Sequence, residues 1–141
     1  MLGSGVRAPE GALYADKYRN QIFIIIRMNN FDIREEATDF GKCWYISDLK
    51  KSFRFALYTY DDDPDTVYLS NVFVDEKYRR TGLGNIILEM ATDIAKKMEF
   101  KTIILKVLKT SFVHEWYERH GYRDFVADSE DISYVWMKKE L

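Results

Sequence analysis

A long amphipathic helix between two apolar strands most constrains how this chain can fold. From Leu83 onward, apolar residues recur at the spacing of one helical face, at positions 83, 86, 87, 90, 91, 94, 95 and 98. A strand is predicted before this helix over Thr66–Val74, and the nearly all-apolar run Thr102–Leu108 predicts a doubly buried strand after it. Strand, helix and strand in this order predict a right-handed crossover joining two parallel strands.

The rest of the chain predicts a mixed α/β (α+β) domain. Helices are expected at Phe31–Phe40 and Phe112–His120, and strands at Gln21–Arg27, Lys42–Ser47, Phe53–Tyr60, Tyr122–Val126 and Ile132–Met137. The cluster Asp61–Asp65, which includes a proline, predicts a turn and therefore a hairpin over Phe53–Val74. The element order β-α-β-β-β-α-β-α-β-β indicates a mixed sheet covered by helices. We expect one domain over residues 21–141, after a flexible leader over residues 1–20.

Composition excludes several classes of protein. The 141 residues are 47% hydrophobic, enough for a single core, and the net charge of −2 argues against a protein that coats nucleic acid. The single cysteine, Cys43, cannot form an internal disulfide, which favours a reducing compartment; we expect it half-buried on a strand. No apolar run approaches the roughly 20 residues of a membrane span, and no Cys/His set has zinc spacing. We expect a cytoplasmic protein without metal, membrane or nucleic-acid partners.

The loop before the long helix is a candidate anion-binding site. The segment Arg79–Asn85 follows a strand that ends at Val74, and it opens the helix. Unpaired backbone N–H groups and the positive end of the helix dipole meet there, and Gly82 and Gly84 have no Cβ to hold an anion away. A dinucleotide fingerprint would need a third glycine where the chain has Ile87. A P-loop would need lysine directly after the second glycine, so neither motif fits.

Two segments resemble the GNAT superfamily of acyl-CoA-dependent N-acetyltransferases. Arg79–Gly84 matches the pattern Arg-x-x-Gly-x-Gly, and Trp116–Tyr122 resembles the family's aromatic-Tyr-Glu-Lys-x-Gly-aromatic segment. The element order from Ile22 to Met137 also agrees with the family. The resemblance implies a GNAT-like fold, with a mixed, mostly antiparallel sheet flanked by helices. It also implies transfer of an acetyl group from acetyl-CoA to a primary amine, by direct attack on the thioester.

The same resemblance implies a role for individual residues. The CoA pyrophosphate would be bound by loop residues Arg79, Arg80, Thr81, Gly82, Leu83, Gly84 and Asn85. The main chain of Phe73 and Val74 would hold the pantetheine arm. Tyr117 would protonate the departing thiolate, because a phenol with an ordinary pKa of about 10 is protonated at neutral pH. The alternative is a core tyrosine, since Tyr117 shares a helix face with apolar residues.

Departures from the family pattern leave alternatives open. Thr110 and Val113 stand where many members have Asn and Ala, and Thr66–Val74 holds no carboxylate that could act as the general base. Ser70 and Asn71 could order a water, but both are poor bases. The alternatives are a non-catalytic acyl-CoA-binding regulatory module and a nucleotide-binding domain that uses the same loop. The acceptor amine stays open between small molecules and peptides, and exposed edge strands could pair in a homodimer.

Overall fold

The structure, a computed structural model, describes residues 31–141. Its strands are β1 (Phe31–Ala37), β2 (Lys42–Asp48), β3 (Phe53–Tyr60), β4 (Asp63–Val74), β5 (Thr102–Leu108), β6 (Arg123–Ala127) and β7 (Tyr134–Glu140). Its helices are α1 (Leu83–Lys97) and α2 (Phe112–Arg119), and a single 3₁₀ turn spans Glu76–Tyr78. The leader predicted over residues 1–20 and the strand predicted at Gln21–Arg27 lie outside the described residues.

The strands form one seven-stranded sheet in the order β1-β2-β3-β4-β5-β7-β6. Neighbouring strands are antiparallel except β4 and β5, which α1 connects and which pair in parallel. The sheet is therefore mixed and mostly antiparallel, and the predicted parallel pairing across the long helix is confirmed.

The parallel pair opens partway along its length. Residues Thr66–Tyr68 of β4 pair with Thr102–Ile104 of β5, but no pairing continues toward the carboxyl ends of the two strands. On its other side, β4 pairs with β3 through a bulge, and the bulge residue Asn71 has a positive φ of 55°. A bulge bends its strand, so β4 turns away from β5 and a gap forms between them.

The core lies between α1 and one face of the sheet. The helix buries the apolar face that its sequence predicts, including Ile87 and Ala91, each with none of its surface exposed. They pack in one cluster with sheet residues such as Leu57, Val67 and Ile103. Burying a large aliphatic side chain contributes about 1.5–3 kcal/mol, so this face fixes α1 on the sheet. No helix within residues 31–141 is long and apolar enough to cross a membrane.

The prediction of a helix at Phe31–Phe40 is wrong, because most of this segment is strand β1. Its Glu and Ala residues favour a helix locally, yet Phe31–Ala37 pairs with β2 along its whole length. Ile33 points into the core and is 5% exposed, and Glu35 accepts a hydrogen bond from the indole Nε1 of Trp44 at 2.7 Å. Tertiary pairing overrides the local propensity here.

Other differences concern boundaries and burial. The turn predicted over Asp61–Asp65 is shorter, because β4 begins at Asp63 and Pro64 falls where the β3–β4 register is irregular. A proline there removes no regular ladder hydrogen bond. The last two strands, β6 and β7, lie one to three residues later than predicted. Cys43 is fully buried, with none of its surface exposed, and not half-buried as predicted.

Candidate functional site

An open cavity of about 610 Å³ lies beside the C-terminal part of β4, the glycine-containing loop and α2. The β4 residues that line it, Val72 and Val74, lie beyond the stretch of β4 that pairs with β5. Its walls are largely apolar, and the charged groups among them are all arginines. The lining residues are Val72, Val74, Tyr78, Arg79, Arg80, Gly82, Gly84, Asn85, Phe112, Val113, Trp116, Tyr117 and Arg119.

The loop between β4 and α1 is held in shape by its own hydrogen bonds. The side chain of Asp75 accepts from the backbone N–H of Lys77 at 3.1 Å and starts the 3₁₀ turn. The Nε of Arg79 donates to the carbonyl of Val74 at 3.0 Å, and the hydroxyl of Thr81 donates to the carbonyl of Tyr78. These bonds keep the Arg79 side chain beside the end of β4.

The N-terminus of α1 is open toward the cavity. Gly82 occupies the capping position with a φ of 86°, and it supplies no side-chain hydrogen bond to the helix. The N–H of Ile86 donates to the carbonyl of Gly82, at the start of the helical hydrogen-bond ladder. The first turn of α1 contains no acidic residue. A Cβ built at Gly82 would meet nothing within 4 Å. Free N–H groups, a positive helix end and open space are features that suit an anion.

Trp116 of α2 packs against this helix N-terminus. Its indole Nε1 donates to the side-chain oxygen Oδ1 of Asn85 at 3.0 Å. Its ring lies so close to Gly84 that a Cβ built there would stand 3.1 Å from the ring. A glycine at this position therefore permits the tryptophan to reach the first turn of α1.

Tyr117 is a buried member of the cavity wall. It is 7% exposed and lies between the ring of Trp116, at 5.0 Å, and the ring of Tyr122, at 5.6 Å. Burial away from water is the main cause that raises the pKa of Tyr117 to about 12. Its hydroxyl therefore carries a proton at neutral pH and can donate it. Tyr117 is thus both a core residue and a cavity residue.

The structure brings most of the residues predicted to bind the cofactor into this one cavity. The predicted residues that line it are Val74, Arg79, Arg80, Gly82, Gly84, Asn85 and Tyr117. The side chain of Leu83 packs against the core, and that of Thr81 bonds within the loop. Phe73 lines a second cavity instead. The roles assigned to all of these residues stay predictions.

The cavity also contains residues to which the sequence analysis gave no role. Val72 is one, although the two-residue period of a strand places it on the same face as Val74. Phe112 and Arg119 are others, and Phe112 is 82% exposed for so large an apolar side chain. An exposed aromatic residue beside a cavity indicates a binding site, but the sequence alone does not reveal the cavity.

The two histidines make polar contacts near this site, and one of these contacts joins two elements. His114 Nε2 lies 2.7 Å from Asp124 Oδ1 and so connects α2 with β6, while His120 Nδ1 lies 2.8 Å from the carbonyl of Trp116. Within residues 31–141, no group of three or more His, Cys, Asp or Glu side chains could hold a metal ion.

Comparisons with known proteins agree with this geometry. The acetyltransferase (GNAT) family model matches residues 13–122. Among solved structures, the chain is similar to a GNAT family acetyltransferase from Elizabethkingia anophelis with acetyl-CoA bound, at 15% identity and a TM-score of 0.60, covering 80% of this chain and 99% of that one. It is also similar to a Bacillus subtilis acetyltransferase in complex with CoA, at 18% identity and a TM-score of 0.59, covering 79% and 97%.

A third similar structure is an acetyltransferase from Streptococcus agalactiae, at 21% identity and a TM-score of 0.58, covering 90% of this chain and 79% of that one. No curated protein sequence matches the chain. At these identities the structures establish the fold, and the family model, which covers most of the chain, establishes the family. The sheet with its opened parallel pair, the glycine-containing loop and the family match lead to one conclusion: this chain belongs to the GNAT family of acetyltransferases.

Proposed function

We propose that this protein is an N-acetyltransferase that moves an acetyl group from acetyl-CoA to a primary amine. One observation carries the proposal: a single cavity is lined both by the uncapped N-terminus of α1 and by the buried, protonated Tyr117. The first feature suits the pyrophosphate of CoA, and the second suits the sulfur that leaves when the thioester is cleaved.

The residues of the cavity fit CoA in charge and shape. The N–H groups at the start of α1 would bind the pyrophosphate, and Arg80 and Arg119 would add positive charge. Farther along the cavity, the apolar side chains of Val72 and Val113 would contact the pantetheine arm. The end of β4 lies in the gap beside β5, so the carbonyl and N–H groups that pair with neither strand are available to that arm.

The proposed reaction needs one nucleophile and one acid. The amine nitrogen forms a bond to the thioester carbonyl carbon, and the carbon–sulfur bond then breaks. The leaving thiolate takes the hydroxyl proton of Tyr117, and the proton released by the nitrogen returns to the phenolate through water. The products are an amide and free CoA. Orienting both reactants in one cleft supplies much of the rate enhancement.

The proposal also includes the class of the acceptor and the cellular compartment. The acceptor is a small-molecule or peptide amine, and no general base is assigned to a side chain. The free thiol of Cys43 is consistent with action in a reducing compartment such as the cytoplasm.

The first experiment titrates acetyl-CoA into the protein by calorimetry. Gly82→Glu and Gly82→Gln are the variants, and because both add a side chain at the same positive φ, they share the strain and bulk. They differ in charge alone. We expect micromolar binding by the wild type, weaker binding by Gly82→Gln and none by Gly82→Glu. Equal affinities for the two variants would contradict a pyrophosphate site at this helix end.

The second experiment measures free thiol released from acetyl-CoA in the presence of primary amines. Release that depends on the amine supports an enzyme. Tight binding of acetyl-CoA without release by any amine would support the non-catalytic acyl-CoA-binding module instead. Displacement by ATP or NAD, with no binding of acetyl-CoA, would support a nucleotide-binding domain.

A further inference from the structure

A second cavity, of about 550 Å³, lies across strands β1 to β4. Its residues come from these strands, whose hydrogen-bonded register brings them side by side, and from the turn before β3. They are Asp32, Arg34, Tyr45, Ile46, Ser47, Lys51, Arg54, Phe55, Asn71, Val72 and Phe73. No short motif in the sequence marks it, because its residues are spread over more than 40 positions.

The two cavities meet at the bulge of β4. Val72 lines both of them, while its neighbours Asn71 and Phe73 line the second alone. Successive residues of a strand point to opposite faces, so this bulge forms a thin wall between the two spaces. A molecule in the second cavity would therefore lie beside the part of β4 that borders the proposed acetyl-CoA cavity. This position suits the acceptor amine.

The second cavity carries an excess of positive charge. Its described lining holds Arg34, Lys51 and Arg54 but one carboxylate, that of Asp32. Arg34 is already paired, since its Nε lies 2.8 Å from Glu36 Oε2. Among residues 31–141, neither Lys51 nor Arg54 has a carboxylate within salt-bridge distance.

Arg54 is also oriented by its neighbour. Its guanidinium carbon lies 4.3 Å from the centre of the Phe73 ring, which stands opposite it in the β3–β4 register. Stacking on an aromatic face restrains a guanidinium without neutralising it, so its N–H groups stay available to an anion. Lys51, which has no salt-bridge partner in the described part of the chain, adds a second cation on the turn that leads into β3.

We propose that the acceptor is a primary amine that also carries an anionic group, and that Arg54 and Lys51 bind this group in the second cavity. The anion is a carboxylate, as in an amino acid, or a phosphate. This inference rests on the proposed acetyltransferase function and names the class of its acceptor. It excludes polyamines and other purely cationic amines as good substrates, because the unpaired cations would repel them.

The test compares acceptors that differ only in the anion. Phenylalanine, phenylalaninamide and phenethylamine form the carboxylate series, and phosphoethanolamine against ethanolamine forms the phosphate pair; spermidine represents the polycations. We expect kcat/KM for an anionic member to exceed that of its neutral counterpart by about tenfold or more, as for one charge-assisted hydrogen bond. The better of the two series identifies the anion. Equal or faster acetylation of the neutral amines or of spermidine would overturn the proposal.

Variants then assign the preference to side chains. Arg54→Gln and Lys51→Gln should each lower the preference for the anionic member severalfold while leaving acetyl-CoA affinity unchanged. Lys50→Gln is the matched control, because Lys50 is exposed and next to Lys51 but does not line the cavity. An anion preference that survives in both Arg54→Gln and Lys51→Gln would reject these residues as its cause.

A binding measurement separates this inference from the proposed function. If acetyl-CoA binds but no amine is acetylated, calorimetry of phenylalanine and phosphoethanolamine against the acetyl-CoA complex still reports on the cavity. Binding of either one that is lost in Arg54→Gln would support the anion site even though acetyl transfer had failed. No binding of either anion, with acetyl-CoA bound, would overturn the anion site.

Discussion

The indole of Trp116 donates a hydrogen bond to the side chain of Asn85 across 3.0 Å and thereby ties α2 to the first turn of α1. The two residues are 31 positions apart in the sequence. Their contact joins the glycine-containing loop to the helix that carries Tyr117, so two separate sequence motifs form one site.

Trp116→Phe tests this contact. The change removes the indole N–H and keeps an aromatic ring, so the first turn of α1 is held less firmly. A hydrogen bond of this kind contributes about 1 kcal/mol, so we expect acetyl-CoA affinity to fall about fivefold by calorimetry. Trp136→Phe is the control. Trp136 lies on β7, and its indole Nε1 donates a comparable hydrogen bond to Asp128 Oδ1 at 3.0 Å, but it does not line the proposed cofactor cavity. Equal loss of affinity in both variants would argue against a specific role for Trp116.

Tyr117→Phe tests the proposed acid. We expect kcat to fall about 100-fold, at the lower end of what general acid catalysis contributes, with acetyl-CoA affinity unchanged. Burial raises the pKa of Tyr117 to about 12, so the acid should stay protonated throughout the usual assay range. Single-turnover rates of the wild type should show no alkaline decline caused by Tyr117 below about pH 10. Unchanged turnover in the variant, with chemistry limiting the rate, would remove the acid assignment.

The same ionisation should affect stability at high pH. The folded-state pKa of Tyr117 lies above the unfolded value of 10, at about 12, so its contribution to stability is complete below the unfolded pKa. It is lost as the pH rises through the folded pKa, with a slope of about 1.4 kcal/mol per pH unit. Urea unfolding at about pH 9 and about pH 11 should therefore show a smaller alkaline loss in Tyr117→Phe than in the wild type. Parallel losses in both proteins would contradict the shifted pKa.

Tyr122 offers a change that should stabilise the protein. Its hydroxyl is buried and has no hydrogen-bond partner among residues 31–141. Tyr122→Phe removes an unsatisfied polar group and keeps the ring beside Tyr117, so we expect the free energy of unfolding to rise by about 0.5–1 kcal/mol. In the control Tyr58→Phe, the lost hydroxyl interacts with the side chains of Tyr45 and Cys43, which raise the pKa of Tyr58, so that variant should lose stability. A destabilised Tyr122→Phe protein would indicate a partner for this hydroxyl.

The sequence predicts local features well and pairings between distant segments poorly. Helix α1 repeats its apolar period over four turns, and its buried face follows directly from that period. Strand β1 is short and contains two Glu and one Ala, residues that favour a helix. Its identity as a strand depends on pairing with β2, which the composition of the segment does not encode.

The two cavities differ in the same way, because one is formed largely by a local segment and the other by distant segments. The loop Arg79–Asn85 is one continuous segment, so the sequence alone reveals its glycines and arginines. Val72 and Arg119 join it only because β4 leaves β5 and α2 packs nearby. The second cavity depends entirely on the register of four strands, and the charge excess of Lys51 and Arg54 becomes apparent only there.

Cys43 should be inert in the native protein. None of its surface is exposed, and burial raises the pKa of its thiol, so the reactive thiolate is rare at neutral pH. We expect the folded protein to react with an aromatic disulfide reagent at a small fraction of the rate of the urea-unfolded chain, as followed by absorbance. The result matters for the acetyl-transfer assay, because the same reagent detects released CoA. Fast labelling without urea would mean that β2 and β3 separate often enough to expose the thiol, and a Cys43→Ser protein would then be needed for that assay.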